Sequence, residues 1–264
     1  MTEQAHVGAP VLEAENLSIQ FGGLKALQEL SFSIPEKTVF SIIGPNGAGK
    51  TTFFNIVTGI YRPTGGDVRL YGESIVGLEP SRIVERGVCR TFQNIRLFQN
   101  LTVLENVMIG RQLHERTGLG DILLRTQRFR AQEAETLDRA AEILDYVGIL
   151  DDANALAKNL PYGRQRRLEI ARALATAPRM LLLDEPTAGM NPSESEEMVQ
   201  LFQRICEERG VCVLMIEHDM KVVMGVSQRI LVLNFGRQIA LGSPREVLEN
   251  EEVITAYLGH QKVM

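Results

Sequence analysis

Residues 39–43 form an apolar run that ends in Gly44-Pro45-Asn46-Gly47-Ala48-Gly49-Lys50-Thr51, and a stretch of helical character follows at 52–58. Glycines at this spacing let successive backbone N–H groups wrap a polyphosphate. A helix starting at the same point turns the positive end of its dipole on that charge. In the pattern G-x-x-x-x-G-K-[ST] the lysine, here Lys50, reaches the β- and γ-phosphates, and the Thr51 hydroxyl is placed to hold Mg²⁺. The chemistry to expect is binding of a nucleoside triphosphate with its magnesium.

A second apolar run, Met180-Leu-Leu-Leu, closes on Asp184-Glu185-Pro186. Two acids at the end of a buried strand suit two tasks, Asp184 in the Mg²⁺ shell and Glu185 as general base for an attacking water. Alone, the run reads equally as a buried strand capped by solvated acids; the phosphate loop upstream favours chemistry. Gln93 follows an apolar stretch at 87–92, and His218 follows another at 211–216. Ligands of open parallel sheets bind at the carboxyl ends of the strands. The loop at 44–51, Gln93, Asp184 with Glu185, and His218 are therefore expected along one sheet edge. Taken singly, Gln93 and His218 fit a structural role as well.

The elements that must position these groups are legible in outline. Residues 11–18, 31–34 and 67–71 read as short strands, the last introduced by Gly65-Gly66, and this start looks antiparallel. From about 92 to 177 the character is helical. Leu137, Ala140, Ala141, Leu144 and Val147 recur at spacings of three and four before a stop at Gly148, and Leu168, Ala171 and Ala175 repeat the pattern. Strands follow at 180–183 and 211–216, then a hairpin at 230–241 turned on Phe235-Gly236-Arg237, then a closing helix at 244–258. Such alternation implies a mainly parallel sheet covered on both faces.

Composition sets the outer bounds. At 264 residues, 44% apolar and 23% charged, the chain is ordinary globular material for one large domain or two small ones. A formal net charge of -5 argues against broad contact with nucleic acid phosphates. Cys89, Cys206 and Cys212 are too few and scattered for a disulfide framework or a zinc site, which suits a reducing, intracellular setting. The longest purely apolar run, 211–216, is far short of the about 20 residues of a spanning helix. The N-terminal stretch lacks a secretory pattern. Service to a membrane is expected from its surface, through other chains.

Leu160-Pro161-Tyr162-Gly163-Arg164 reads by itself as a turn that starts a helix. Set among residues 44–52, Gln93, 181–186 and His218, it completes an order of motifs that resembles the ATP-binding-cassette (ABC) ATPases over essentially the whole chain. That family's L-S-G-G-Q-type signature lies between the phosphate loop and the acidic strand. The resemblance implies an α/β P-loop NTPase fold, with a RecA-like core and antiparallel β subdomain at 1–92 and 178–264 and a helical subdomain at 93–177. It implies ATP and Mg²⁺ as ligands, with ATP closed between one chain's phosphate loop and its partner's signature. Phe21 then matches the aromatic that stacks on adenine, and Thr52 extends the loop. Residues Leu160, Pro161, Tyr162, Gly163 and Arg164 face the partner's γ-phosphate, Gly163 and its neighbours through N–H groups. Gln93 is implied to sense Mg²⁺ and couple to a partner, and His218 to contact the γ-phosphate and help set up the water.

Within the family, the wording of Phe21-Gly-Gly-Leu24, Arg90-Thr-Phe-Gln-Asn-Ile-Arg-Leu-Phe98, Leu168-Glu-Ile-Ala-Arg172, Ile216-Glu-His-Asp-Met220 and Ala256-Tyr-Leu-Gly259 is similar to that of branched-chain amino acid import ATPases. That likeness implies permease chains, a periplasmic or extracellular binding protein, a sister ATPase in a heterodimer, and a place on the cytoplasmic face of the cell membrane. Two other family roles compete with it, a lipopolysaccharide-type exporter ATPase and a soluble ABC ATPase without transport. Pro161, Tyr162 and Arg164 depart from the usual signature, and Asn191 stands where many members have aspartate. An extra stretch at 114–130, with Leu119, Ile122, Leu123, Leu124 and Phe129 among Arg125, Arg128 and Arg130, is expected to dock on a permease or graze an anionic leaflet, or else to be a solvated excursion.

Overall fold

The computed structural model describes residues 10–114 and 126–258. Of the apolar residues expected to dock from the extra stretch, Leu119 and 122–124 lie outside them, and Phe129 lies within. In chain order the first elements are β1 (Pro10–Phe21), β2 (Leu24–Pro35), β3 (Val39–Ile43), α1 (Lys50–Val57), β4 (Gly65–Leu70), β5 (Glu73–Ser74), α2 (Pro80–Glu85) and β6 (Val88–Arg90). Helices α3 (Val103–Arg111), α4 (Gln127–Tyr146) and α5 (Tyr162–Ala175) follow. The chain then runs β7 (Met180–Asp184), α6 (Pro192–Arg209), β8 (Cys212–Ile216), α7 (Met220–Val226), β9 (Arg229–Asn234), β10 (Arg237–Gly242), α8 (Pro244–Leu248) and α9 (Glu251–Leu258). It divides into two compact units, one of Met1–Val88 with Arg179–Met264 and one of Cys89–Pro178.

The first unit holds an antiparallel sheet in the order β2-β1-β4-β5 and a sheet in the order β10-β9-β3-β8-β7-β6. In the latter, β3 pairs parallel with β8 and β9, and β7 pairs parallel with β8. Every residue of β3, β7 and β8 is buried, which is why these strands read as near-continuous apolar runs rather than as alternation. Phe32, Phe40 and Phe53 pack ring on ring between β2, β3 and α1. The opening strands are longer than the sequence suggested. β1 and β2 make one hairpin turned on Gly22-Gly23, but register shifts along it, with Asn16 and Glu29 at positive φ, break the two-residue period into fragments. Strand β4 already starts at Gly65, which pairs with Ser18.

The closing helix is two helices. The chain breaks at 249–250, and the Asn250 side chain accepts from the amides of Glu252 (2.9 Å) and Val253 (3.2 Å) to start α9.

The second unit is helical, with α3, α4 and α5 packed on one another. A capping box starts α3, Thr102 accepting from the Glu105 amide while Glu105 accepts from the Thr102 amide. On α4 the buried stripe is Thr136, Ala140, Ile143 and Leu144, and Leu137 is 45% exposed. Of the expected stripe, Ala140, Leu144 and Val147 are buried, while Thr136 takes the inward place given to Leu137. Among the described residues no helix is long and apolar enough to cross a membrane.

Candidate functional site

The phosphate loop joins β3 to α1. Its glycines, Gly44, Gly47 and Gly49, all have positive φ (153, 80 and 103°). At Gly44 a Cβ would lie 2.2 Å from the Leu233 carbonyl oxygen, and at Gly49 one would lie 2.6 Å from that of Ala26, so both positions exclude side chains on conformation and on space. Ala48 is buried beneath the loop, while Asn46, Gly47 and Thr51 face solvent with Pro45 and Thr52 beside them. Lys50 lies across the loop, its Nζ donating to the carbonyls of Gly44 (2.6 Å) and Pro45 (3.0 Å). Burial pushes its ammonium below the usual lysine range, and the carboxylates of Glu185 and Asp184 oppose that shift. The lysine is thereby tied electrostatically to the two acids.

Sheet register explains why they meet. Asp184, which is 6% exposed, pairs with Ile216 of β8, and Ile42 of β3 pairs with the same residue, so three parallel strands end level. Glu185 follows with a left-handed backbone (φ 47°), and its amide donates to the Ile216 carbonyl at 2.9 Å. His218 follows β8, with Nδ1 3.7 Å from a Glu185 carboxylate oxygen and its side chain 65% exposed.

The sequence reading missed the group that fastens these two turns. Glu217 is 1% exposed. One of its oxygens accepts from the amide (3.0 Å) and hydroxyl (2.5 Å) of Thr187, and the other accepts from the His218 amide at 3.0 Å. A buried carboxylate is stable only when so satisfied. A lone acid beside a histidine gave no sign of it, because burial here is set by the neighbouring strand.

Phe21 ends β1, 44% exposed, with its ring edge-on to Tyr61 at 5.2 Å between centroids. With Leu24, Phe235, Glu185 and residues 46–52 it lines a cleft of about 640 Å³ over the phosphate loop. Oxygen donors around this cleft suit a hard cation. Among the described residues no cluster of three or more acids, histidines or cysteines could cage a metal. The Thr51 hydroxyl and the Asp184 carboxylate are oxygen ligands of the kind that Mg²⁺ takes when substrate phosphates complete its shell.

Gln93 and the signature lie in the second unit. The Gln93 carbonyl accepts from Arg166 at 2.7 Å. Leu160 is buried, and its carbonyl accepts from the Gln165 side chain at 2.8 Å. Pro161 caps α5, and Tyr162 and Gly163 form its first turn, where amides have no intrahelical acceptor and favour an anion. Tyr162 is anchored by Arg166, which donates to its hydroxyl at 3.1 Å, and Arg164 is ion-paired with Asp152. In the first unit Asn191 keeps the cap an aspartate would make, accepting from the Glu194 amide at 3.0 Å.

Known proteins resemble this chain over nearly its whole length. Residues 27–188 match the family model described as "ABC transporter", and residues 237–263 match one described as "Branched-chain amino acid ATP-binding cassette transporter". The chain is 48% identical over 250 residues to the high-affinity branched-chain amino acid transport ATP-binding protein LivG of Salmonella typhimurium, covering 95% of this chain and 98% of that protein. It is equally similar, at 48% with the same coverage, to BraF of Pseudomonas aeruginosa, which bears the same description. Among solved structures, an ATP-binding cassette of an ABC transporter in its ADP conformation superposes with a TM-score of 0.82 at 31% identity, covering 95% of this chain and 99% of that one. With a phosphate loop, an acidic strand end and a helical unit carrying the signature, and with relatives alike over nearly its whole length, this chain belongs to the ABC transporter family of ATP-binding cassette ATPases.

Proposed function

We propose that the chain is the ATP-hydrolysing subunit of an importer of branched-chain amino acids, acting at the cytoplasmic face of the cell membrane. The observation that carries this is the near full-length likeness to LivG and BraF, which continues through the C-terminal segment. In this reading the loop amides and Lys50 hold the phosphates, and Thr51 and Asp184 hold Mg²⁺. Magnesium, when bound, neutralises charge that builds on the phosphoryl group. Glu185 takes a proton from the water that attacks the γ-phosphorus as the bond to the ADP oxygen breaks, and His218 orients that water. Permease chains, a second ATPase (unlike this one) and an extracytoplasmic binding protein complete the system. Gly163 and the rest of 160–164 meet the ATP of the second ATPase.

A cleft of about 630 Å³ in the helical unit supports a permease-docking face. Phe92, Leu97, Phe98 and Ile109 line it, with Arg172 5.6 Å from the half-exposed Phe98 ring. The test is uptake of labelled leucine into vesicles that contain the permeases, the sister ATPase and the binding protein. Uptake is expected only when this chain and ATP are present, and Phe98→Glu is expected to cut it about tenfold, the size of an interface anchor. ATP-driven uptake of a different solute in place of leucine would reassign the cargo.

Glu217 gives a second expectation. Glu217→Ala leaves the Thr187 amide and hydroxyl and the His218 amide without their acceptor. Turnover is expected to fall about tenfold, as for loss of a charged hydrogen bond, while Mg-ATP affinity holds. Glu217→Gln, which keeps an acceptor for Thr187, is expected to recover most of the rate. A Gln variant as slow as the Ala variant would remove the positioning role.

A further inference from the structure

We propose that Phe235, at the tip of the β9–β10 hairpin, is a second aromatic contact for the nucleotide base, facing the same cleft as Phe21. The inference rests on the reading that this cleft takes ATP.

Phe235 is 74% exposed, more than any other large apolar side chain among the described residues. Its backbone is left-handed, φ 45°, a conformation that a bulky residue adopts only when its surroundings impose it. An apolar ring held in water on a strained backbone costs the fold twice, and the fold regains neither cost through packing. What the arrangement does achieve is placement. The Gly236 amide donates to the Ala48 carbonyl of the phosphate loop at 3.0 Å, and the Gln28 amide donates to the Gly236 carbonyl at 2.8 Å. The Gln28 side chain donates to the Phe235 carbonyl at 2.9 Å, and its oxygen accepts from Arg237 at 3.0 and 3.2 Å. The hairpin tip is thus fastened directly to the loop that grips the phosphates.

Phe235, Phe21 and Leu24 (69% exposed) give the cleft an apolar rim above its polar floor. A nucleotide has the matching polarity, a flat π-faced base joined to a polyphosphate. Stacking on aromatic rings stabilises such a base and tolerates variation in its edges. The sequence offered no hint, because Phe235 sits in a turn and the ring reaches the loop only through the hairpin's tertiary attachment.

The experiment compares binding of Mg-ATP and of inorganic tripolyphosphate, with magnesium, to the parent chain, Phe235→Ala and Phe235→Tyr by titration calorimetry. Phe235→Ala is expected to weaken ATP about tenfold, within the range for loss of one aromatic stacking partner. Phe235→Tyr is expected to bind ATP like the parent, and tripolyphosphate to bind all three alike. Equal ATP affinity of Phe235→Ala and the parent overturns the proposal. So does a parallel loss of ATP and tripolyphosphate, which would give the hairpin a part in shaping the phosphate loop alone. Failure of the parent to bind ATP would instead sink the reading of the cleft itself.

Discussion

A Glu185→Gln chain is expected to bind Mg-ATP as well as the parent and to hydrolyse it at least ~10²-fold more slowly, the low end of a general base's contribution. Binding should survive because the groups that grip phosphate are elsewhere. Lys50 and the amides of 44–51 belong to the loop after β3, where the Lys50 ammonium is held by the carbonyls of Gly44 and Pro45. The turn itself should also survive, since it is held by the Glu185 backbone amide on the Ile216 carbonyl and by Glu217 on Thr187. Glutamine preserves the shape and removes only the charge and the capacity to take a proton. Loss of that charge removes a carboxylate that raises the Lys50 pKa, so the lysine is expected to titrate lower in the variant. Phosphate release and equilibrium nucleotide binding, measured on the same preparation, check the claim. Near-normal turnover would place the base elsewhere.

How far the sequence reached depended on whether a feature was local. The phosphate loop was legible because its glycines, lysine and threonine act within eight consecutive residues. The strands β3, β7 and β8 were legible because burial on both faces leaves a near-continuous apolar run. Four other features were hidden for identifiable reasons. The β1–β2 hairpin was obscured by bulges that cancel the alternation around Asn16 and Glu29. One position of the α4 stripe was misassigned because Thr136 is buried where a hydropathy pattern prefers Leu137. Glu217 and Phe235 owe their settings to chain segments about 30 and more than 200 residues away in sequence, Thr187 and Gln28, so no window around either could have shown it. The break in the closing helix is different: Asn250 before Glu251-Glu252 is a cap signal that could have been read.

Replacing Arg166 with methionine is expected to destabilise the helical unit by about 3–5 kcal/mol, the cost of breaking a buried ion pair from one side. The Arg166 side chain is fully buried and that of Glu169 is 2% exposed, with 2.9 Å between them. The guanidinium also donates to the carbonyls of Phe92 (2.6 Å) and Gln93 (2.7 Å). Glu169 in turn accepts from the amides of Phe92 (3.4 Å) and Arg96 (3.3 Å). One turn of α5 therefore holds both the donors and the acceptors of the loop that carries Gln93, from the helix whose first turn is the signature. Methionine fills much of the volume but leaves the Glu169 carboxylate buried without its cation and takes the Arg166 donors from the carbonyls of 92–93. Adding Glu169→Leu removes the uncompensated charge, so the double variant is expected to recover part of the lost stability. It should not recover the loop, because the contacts that Arg166 and Glu169 made to the carbonyls of 92–93 and to the amides of 92 and 96 are still missing. Urea unfolding of the single and double variants, with hydrogen exchange at the amides of 92 and 96, separates the two effects. If the double variant protects those amides as well as the parent does, the Arg166–Glu169 pair is a matter of stability alone. If they exchange freely while stability returns, the pair is what ties the Gln93 loop to the signature helix.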